Sequence, residues 1–71
     1  MKVNVTARAI NRTTKEPITE ERVEQINTET EEIFKKCVTS NDVKKVYESF
    51  WNDLNPNSRE FIVVSNVVAV T

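Results

Sequence analysis

The fold is decided by an alternating stretch near the start of the chain, Lys2-Val3-Asn4-Val5-Thr6-Ala7-Arg8-Ala9-Ile10. Apolar residues occupy the odd positions, and polar residues stand between them. Because successive side chains of a strand point to opposite faces, this alternation predicts a β-strand over about residues 2–10 with one buried face. Such a face needs a second layer of secondary structure, which the rest of the chain must supply.

Two further segments have the apolar spacing of helices. The first is predicted over about residues 20–37, after Thr19 as N-cap, and the second over about residues 41–54. The second ends before Asn55-Pro56, since proline is poorly tolerated inside a helix. The first apolar stripe is Val23, Ile26, Ile33, Phe34 and Cys37, with Thr30 in its gap; the second is Val43, Val46, Tyr47, Phe50 and Leu54, with Trp51 beside it. Whether Ile18 first pairs back on the opening strand is left open.

The C-terminal segment, residues 60–70, is rich in β-branched residues on both sides of Ser65-Asn66. It is either one long strand with a bulge at that pair, antiparallel to the first strand, or a tight hairpin. The chain has no glycine, which tight hairpin loops favour for its positive φ angles, so the bulged strand is the favoured alternative. The sequence therefore predicts a single α+β domain of order β-α-α-β. Its two-helix layer packs on a small antiparallel sheet of two or three strands.

The composition excludes most site chemistries. The 71 residues include one cysteine, no histidine and no glycine, which rules out an internal disulfide, a zinc site and the glycine-rich phosphate loops. Cys37 stands on a predicted apolar stripe, where burial makes a thiol unreactive. We therefore predict no catalytic residue, no cofactor and no metal, and a protein that is not an enzyme.

Charge is distributed unevenly along the chain. Residues 1–15 carry four basic residues and no acid, whereas residues 16–34 carry seven glutamates against Arg22, a balance of −6. Three of the basic residues, Arg8, Arg12 and Lys15, could form a strand and loop that contact nucleic acid phosphates. The glutamates are interpreted as the solvated face of the first helix.

The apolar runs are far shorter than the roughly 20 residues that span a bilayer, and no signal peptide pattern is present. These features predict a cytoplasmic protein with no membrane partner. In size and organisation it resembles many small proteins of bacteria and their phages.

The final strand has more apolar side chains than one buried face can hold. If it is continuous, Ile62, Val64, Val68 and Val70 share the face that two helices cannot cover. A domain this small is also marginally stable, and association is the one common supplement that its composition allows. We therefore predict a protein-interaction or structural accessory module that forms a homodimer through this strand, with another protein partner also possible. A nucleic-acid-binding protein using Arg8, Arg12 and Lys15 is the alternative.

Overall fold

A computed structural model of the chain describes residues 1–70 and contains three strands and one α-helix. They follow the order β1, β2, α1, β3, with a short 3₁₀ turn before the helix. Their bounds are Lys2–Asn11 for β1, Arg22–Asn27 for β2, Glu32–Phe34 for the 3₁₀ turn, Ser40–Leu54 for α1 and Glu60–Ala69 for β3. This is a small α+β domain, as predicted, with one helix in place of the expected two.

The sheet is antiparallel and has the order β2-β1-β3, so the alternating first strand is its centre. Along β1, Val3, Val5, Ala7 and Ala9 are buried and the residues between them are only partly so. The predicted strand and its buried face are confirmed. We call the side of the sheet that faces α1 the inner face, and the other side the outer face.

β3 is one long strand with a bulge, as the favoured alternative predicted. Val67 pairs with Val5, but Ala7 pairs with Val64, so Ser65 is an extra residue in β3. Its hydroxyl donates a hydrogen bond of 3.2 Å to the carbonyl oxygen of Thr6. Because of this extra residue, the inner face is occupied by even-numbered residues before the bulge and by odd-numbered residues after it. The inner-face residues of β3 are therefore Ile62, Val64, Val67 and Ala69, and its outer-face residues include Phe61, Val63 and Val68. Val70 follows the strand and continues its outer face, since its amide donates to the Lys2 carbonyl.

The helix predicted over residues 41–54 is confirmed as α1. Its N-cap is Thr39, whose hydroxyl accepts a hydrogen bond of 3.2 Å from the Asp42 amide. The Asp42 carboxylate accepts bonds from the amides of Val38 and Thr39 in return, at 3.0 and 3.1 Å. This reciprocal capping box satisfies amides that have no partner within the helix. The last helical residue is Leu54, immediately before Asn55-Pro56.

The helix predicted over residues 20–37 is wrong, and so is the two-helix layer. Residues 22–27 form β2 on the second edge of β1, and only residues 32–34 make a helical turn. The β-branched Val23 and Ile26 suit a strand, and β1 would otherwise expose an unpaired edge. The Asn27 side chain then accepts a bond of 3.0 Å from the Glu29 amide, which closes a turn where the helix would have continued.

The connection from β1 to β2 leads the chain to the edge of β1 that β3 does not pair. Pro17 bridges to Ile10, and the Ile18 amide donates a hydrogen bond of 2.9 Å to the Ala9 carbonyl. The short pairing that the sequence left open therefore exists. After this pairing the chain continues into β2.

The core lies between the inner face and one side of α1. It contains Val3, Val5, Ala7, Ile26, Phe34, Val43 and Val64. The helix packs along β3 and not along β2, so the inner face of β2 is covered only at Ile26. Within residues 1–70, no helix is both long and apolar enough to cross a membrane.

Candidate interaction surfaces

One edge of β3 pairs with β1. Among the described residues, the backbone groups on its other edge have hydrogen-bond partners in the first half of the strand but not in the second. The Asn52 side chain accepts a bond of 2.7 Å from the Ile62 amide and donates one of 3.1 Å to the Ile62 carbonyl. The Glu48 carboxylate accepts a bond of 3.4 Å from the Val64 amide. Helix side chains therefore take the place of a fourth strand as far as the bulge.

Beyond the bulge, the backbone amides and carbonyls of Val67 and Ala69 point away from β1, in the plane of the sheet. The Val70 amide donates to the Lys2 carbonyl at 2.9 Å, so residues 66, 68 and 70 bond inward to β1 and the two residues between them point outward. No hydrogen bond to either outward amide or carbonyl is found within residues 1–70. We call Val67–Ala69 the open edge.

The bulge divides the four predicted interface residues between the two faces of the sheet. Ile62 and Val64 point toward α1, and Val64 belongs to the core. Val68 and Val70 lie on the outer face and are 50% and 45% exposed. The prediction that all four share one face holds only for a strand without a bulge. Because Ser65 is an extra residue in β3, the four residues lie on two faces.

Two of the three predicted nucleic-acid residues lie on the outer face. Arg8 is opposite Val63, and the Arg12 guanidinium lies 5.1 Å from the centre of the Phe61 ring. Arg12 also donates from Nε to the Ser58 carbonyl at 3.0 Å. Lys15 is in the following turn, with φ at 68°, and among residues 1–70 no hydrogen bond joins it to either arginine. The strand positions of the outer face also include Lys2 and no carboxylate.

A cleft between α1, β2 and the 3₁₀ turn was not predicted from the sequence. We call it the aromatic cleft. It has a volume of about 250 Å³ and is lined by Glu24, Glu31, Glu32, Ile33, Phe34, Tyr47, Phe50 and Trp51. It exists because α1 lies along β3 and leaves the inner face of β2 uncovered except at Ile26.

Aromatic residues of α1 form one wall of the aromatic cleft. Phe50 and Trp51 are 40% and 42% exposed, and their ring centres are 5.6 Å apart with the rings nearly perpendicular. The sequence places Trp51 beside the apolar stripe of this helix and Phe50 and Leu54 on it, yet both stripe residues are exposed. With one helix on a three-stranded sheet, the C-terminal half of the stripe extends beyond the core.

Among residues 1–70, three ionisable groups have shifted pKa values, each for a physical cause. Burial, and then the nearby negative charge of Glu24, raises the pKa of Tyr47. Burial and the charge of Asp42 raise the pKa of the Cys37 thiol, which therefore favours the unreactive neutral form. The backbone amides of Val38 and Thr39 lower the pKa of Asp42 because they bond its charged form.

Among residues 1–70, no group of three or more histidine, cysteine, aspartate or glutamate side chains is arranged to hold a metal ion. Comparisons with family models, curated proteins and solved structures find no match to this chain.

Proposed function

We propose that the chain is a protein-interaction module that forms a homodimer by pairing its open edge with that of a second copy. The observation that carries this proposal is the contrast within β3. Helix side chains bond the edge at Ile62 and Val64, whereas Val67 and Ala69 have outward backbone groups without a partner among the described residues. An unpaired strand edge is a template for another strand.

A two-fold axis through Val68 satisfies this edge. Val67 of each copy would face Ala69 of the other, and each such pair exchanges two backbone hydrogen bonds, about four in total. The same strand supplies both sides, so the interface is self-complementary, as a two-fold dimer requires. The sheet would then continue through six strands.

The side chains at the axis suit this arrangement. The two Val68 side chains would meet on the outer face as a directly opposed pair, where strands approach most closely. Val68 is now half exposed, and pairing would remove apolar surface from water. A contact of this size is small, so we expect a dissociation constant in the micromolar range.

A disulfide trap tests the pairing and its register. In a Cys37→Ser background, Val68→Cys would place the two new thiols opposite each other at a Cα separation of about 4.5 Å, within the range of a disulfide. Mild oxidation should give a covalent dimer. The control is Val23→Cys in the same background, because Val23 is an exposed outer-face valine on β2. Equal cross-linking rates for the two variants would contradict the proposal.

A charge at the same position should have the opposite effect. Val68→Asp would bring two carboxylates together at the axis, so it should give a monomer at concentrations where the original chain is dimeric. Val23→Asp, with the same change on β2, should leave the dimer intact.

A second candidate function, nucleic acid binding, is favoured by the charge of the outer face. Lys2 and Arg8 occupy its strand positions without a carboxylate, and Arg12 lies over Phe61. This function predicts an affinity for single-stranded nucleic acid that falls steeply with salt and with Arg8→Ala. Lys36→Ala, an exposed cation near the 3₁₀ turn, is the control. Salt-independent binding, or none at low salt, would exclude this function.

In both candidate functions the protein acts by binding and not by catalysis. A cytoplasmic location remains a prediction from the sequence.

A further inference from the structure

We propose that the aromatic cleft binds the head group of a small organic ammonium ion. The cleft combines an aromatic wall with carboxylates, which are the two kinds of group that attract such a cation. Its volume of about 250 Å³ lies below the usual range for drug-sized ligands, so it suits a compact group such as trimethylammonium.

The aromatic wall offers several rings at different angles. Trp51 lies 5.6 Å from Phe50 and 6.3 Å from Tyr47 between ring centres, and the ring planes are inclined by 78° and 54°. The three rings therefore form an angled wall and not a stack. A cation near one such ring gains roughly two- to five-fold in affinity at an exposed site, and tryptophan is the best partner.

The charged side chains that line the aromatic cleft are all negative. Of the residues that the structure describes, three glutamates line the cleft and no lysine or arginine does. Lys35 forms an ion pair of 2.8 Å with Glu32, but Glu24 and Glu31 are in no ion pair within residues 1–70. Arg22 lies two positions before Glu24 and lines a neighbouring cleft that Glu24, Tyr47 and Trp51 also line, but it does not line the aromatic cleft. The cleft therefore has a surplus of negative charge that a cation would neutralise.

The aromatic lining favours an organic ion over a metal ion. Metal ions such as calcium need several oxygen ligands that converge at about 2.3–2.6 Å. The glutamates here are not arranged in that way, and apolar rings occupy much of the wall. An ammonium ion with methyl groups presents both charge and an apolar surface, which matches both parts of the lining.

A pair of ligands of equal shape tests the proposal. Choline carries the trimethylammonium group, and 3,3-dimethylbutan-1-ol is its neutral counterpart with carbon in place of nitrogen. Trp51 is the one tryptophan of the chain, so its fluorescence and its indole resonance report on the cleft directly. We expect choline to shift both signals in a saturable way and the neutral alcohol to shift them much less. Equal effects of the two compounds would overturn the proposal.

The ligand could be a free ion or a side chain of another protein. An N-acetylated trimethyllysine amide, titrated in the same way, separates these sources. Tighter binding of choline would indicate a free ion, and tighter binding of the lysine derivative would indicate a partner side chain. Each result supports an ammonium site.

Charge-removing variants test the residues while they preserve the fluorescence signal. Glu24→Gln and Glu31→Gln should each weaken choline binding by about two- to five-fold, and the double variant by more. Glu16→Gln, in the turn between β1 and β2, removes one negative charge outside the cleft and should leave binding unchanged. Circular dichroism checks that each variant is folded. Unchanged binding by the folded double variant would overturn the proposal.

Discussion

The contact between Asn52 and the edge of β3 gives the sharpest test of how α1 closes this edge. The Asn52 side chain bonds both backbone groups of Ile62, at 2.7 and 3.1 Å, and the site is partly buried. Asn52→Ala would remove both bonds and leave the amide and carbonyl of Ile62 without a protein partner. A second unpaired position would then lie at Ile62, while Glu48 still bonds the Val64 amide.

The expected loss of stability follows from these two bonds. Each contributes about 1 kcal/mol net to the free energy of unfolding, so their loss costs about 2 kcal/mol. Alanine is a better helix former than asparagine by about 0.6 kcal/mol, which offsets part of this loss. The net destabilisation should be about 1.5 kcal/mol, or a fall in Tm of about 6–12 °C for a domain of this size.

Urea unfolding monitored by far-UV circular dichroism measures this difference without depending on Trp51, the neighbour of the changed residue. Asn57→Ala is the matched control, because Asn57 is exposed in the turn after α1 and its side chain makes no hydrogen bond among residues 1–70. It should change the free energy of unfolding by less than about 0.5 kcal/mol. If Asn52→Ala were as stable as the original chain, the closure of the β3 edge by α1 would be refuted.

Three further predictions concern stability. Since the pKa of Asp42 is lowered in the folded state, its charged form stabilises the fold above the unfolded carboxyl pKa of about 3.9, and this contribution is lost as the pH falls through the lower folded pKa. Asp42→Asn should therefore flatten the acid limb of a pH-stability curve, and an unchanged limb would contradict this. Val43→Ala should cost about 2 kcal/mol because Val43 is 0% exposed, whereas Val38→Ala, at 80% exposed, should cost almost nothing in urea unfolding. Lys15→Gly should raise the free energy of unfolding by up to about 1 kcal/mol, since Lys15 has φ at 68°, and a loss would show that its side chain is stabilising.

Those parts of the fold that depend on local pattern could be predicted from the sequence. The alternation in residues 2–10 requires only that one strand face be buried, and the absence of glycine at Ser65-Asn66 favours the bulged strand over a tight hairpin. The helix predicted over residues 41–54 has a proline stop at Asn55-Pro56, and α1 ends there. In each case the local signal and the final packing agree.

The segment of residues 20–37 could not be predicted in this way because its local signals conflict. Helical spacing of its apolar residues competed with the β-branched Val23 and Ile26, and the deciding factor was the free edge of β1. That factor is a tertiary one, and strand preference depends strongly on such context. The aromatic cleft could not be predicted either, since it depends on α1 lying along β3, which brings Glu24 near Tyr47.

The mass of the protein in solution tests the central proposal most directly. Sedimentation equilibrium from about 5 to 500 μM should show a rise from the chain mass of 8.2 kDa toward twice that value. Val68→Asp should stay at the chain mass over the same range. A mass of 8.2 kDa for the original chain at every concentration would contradict self-association through the open edge.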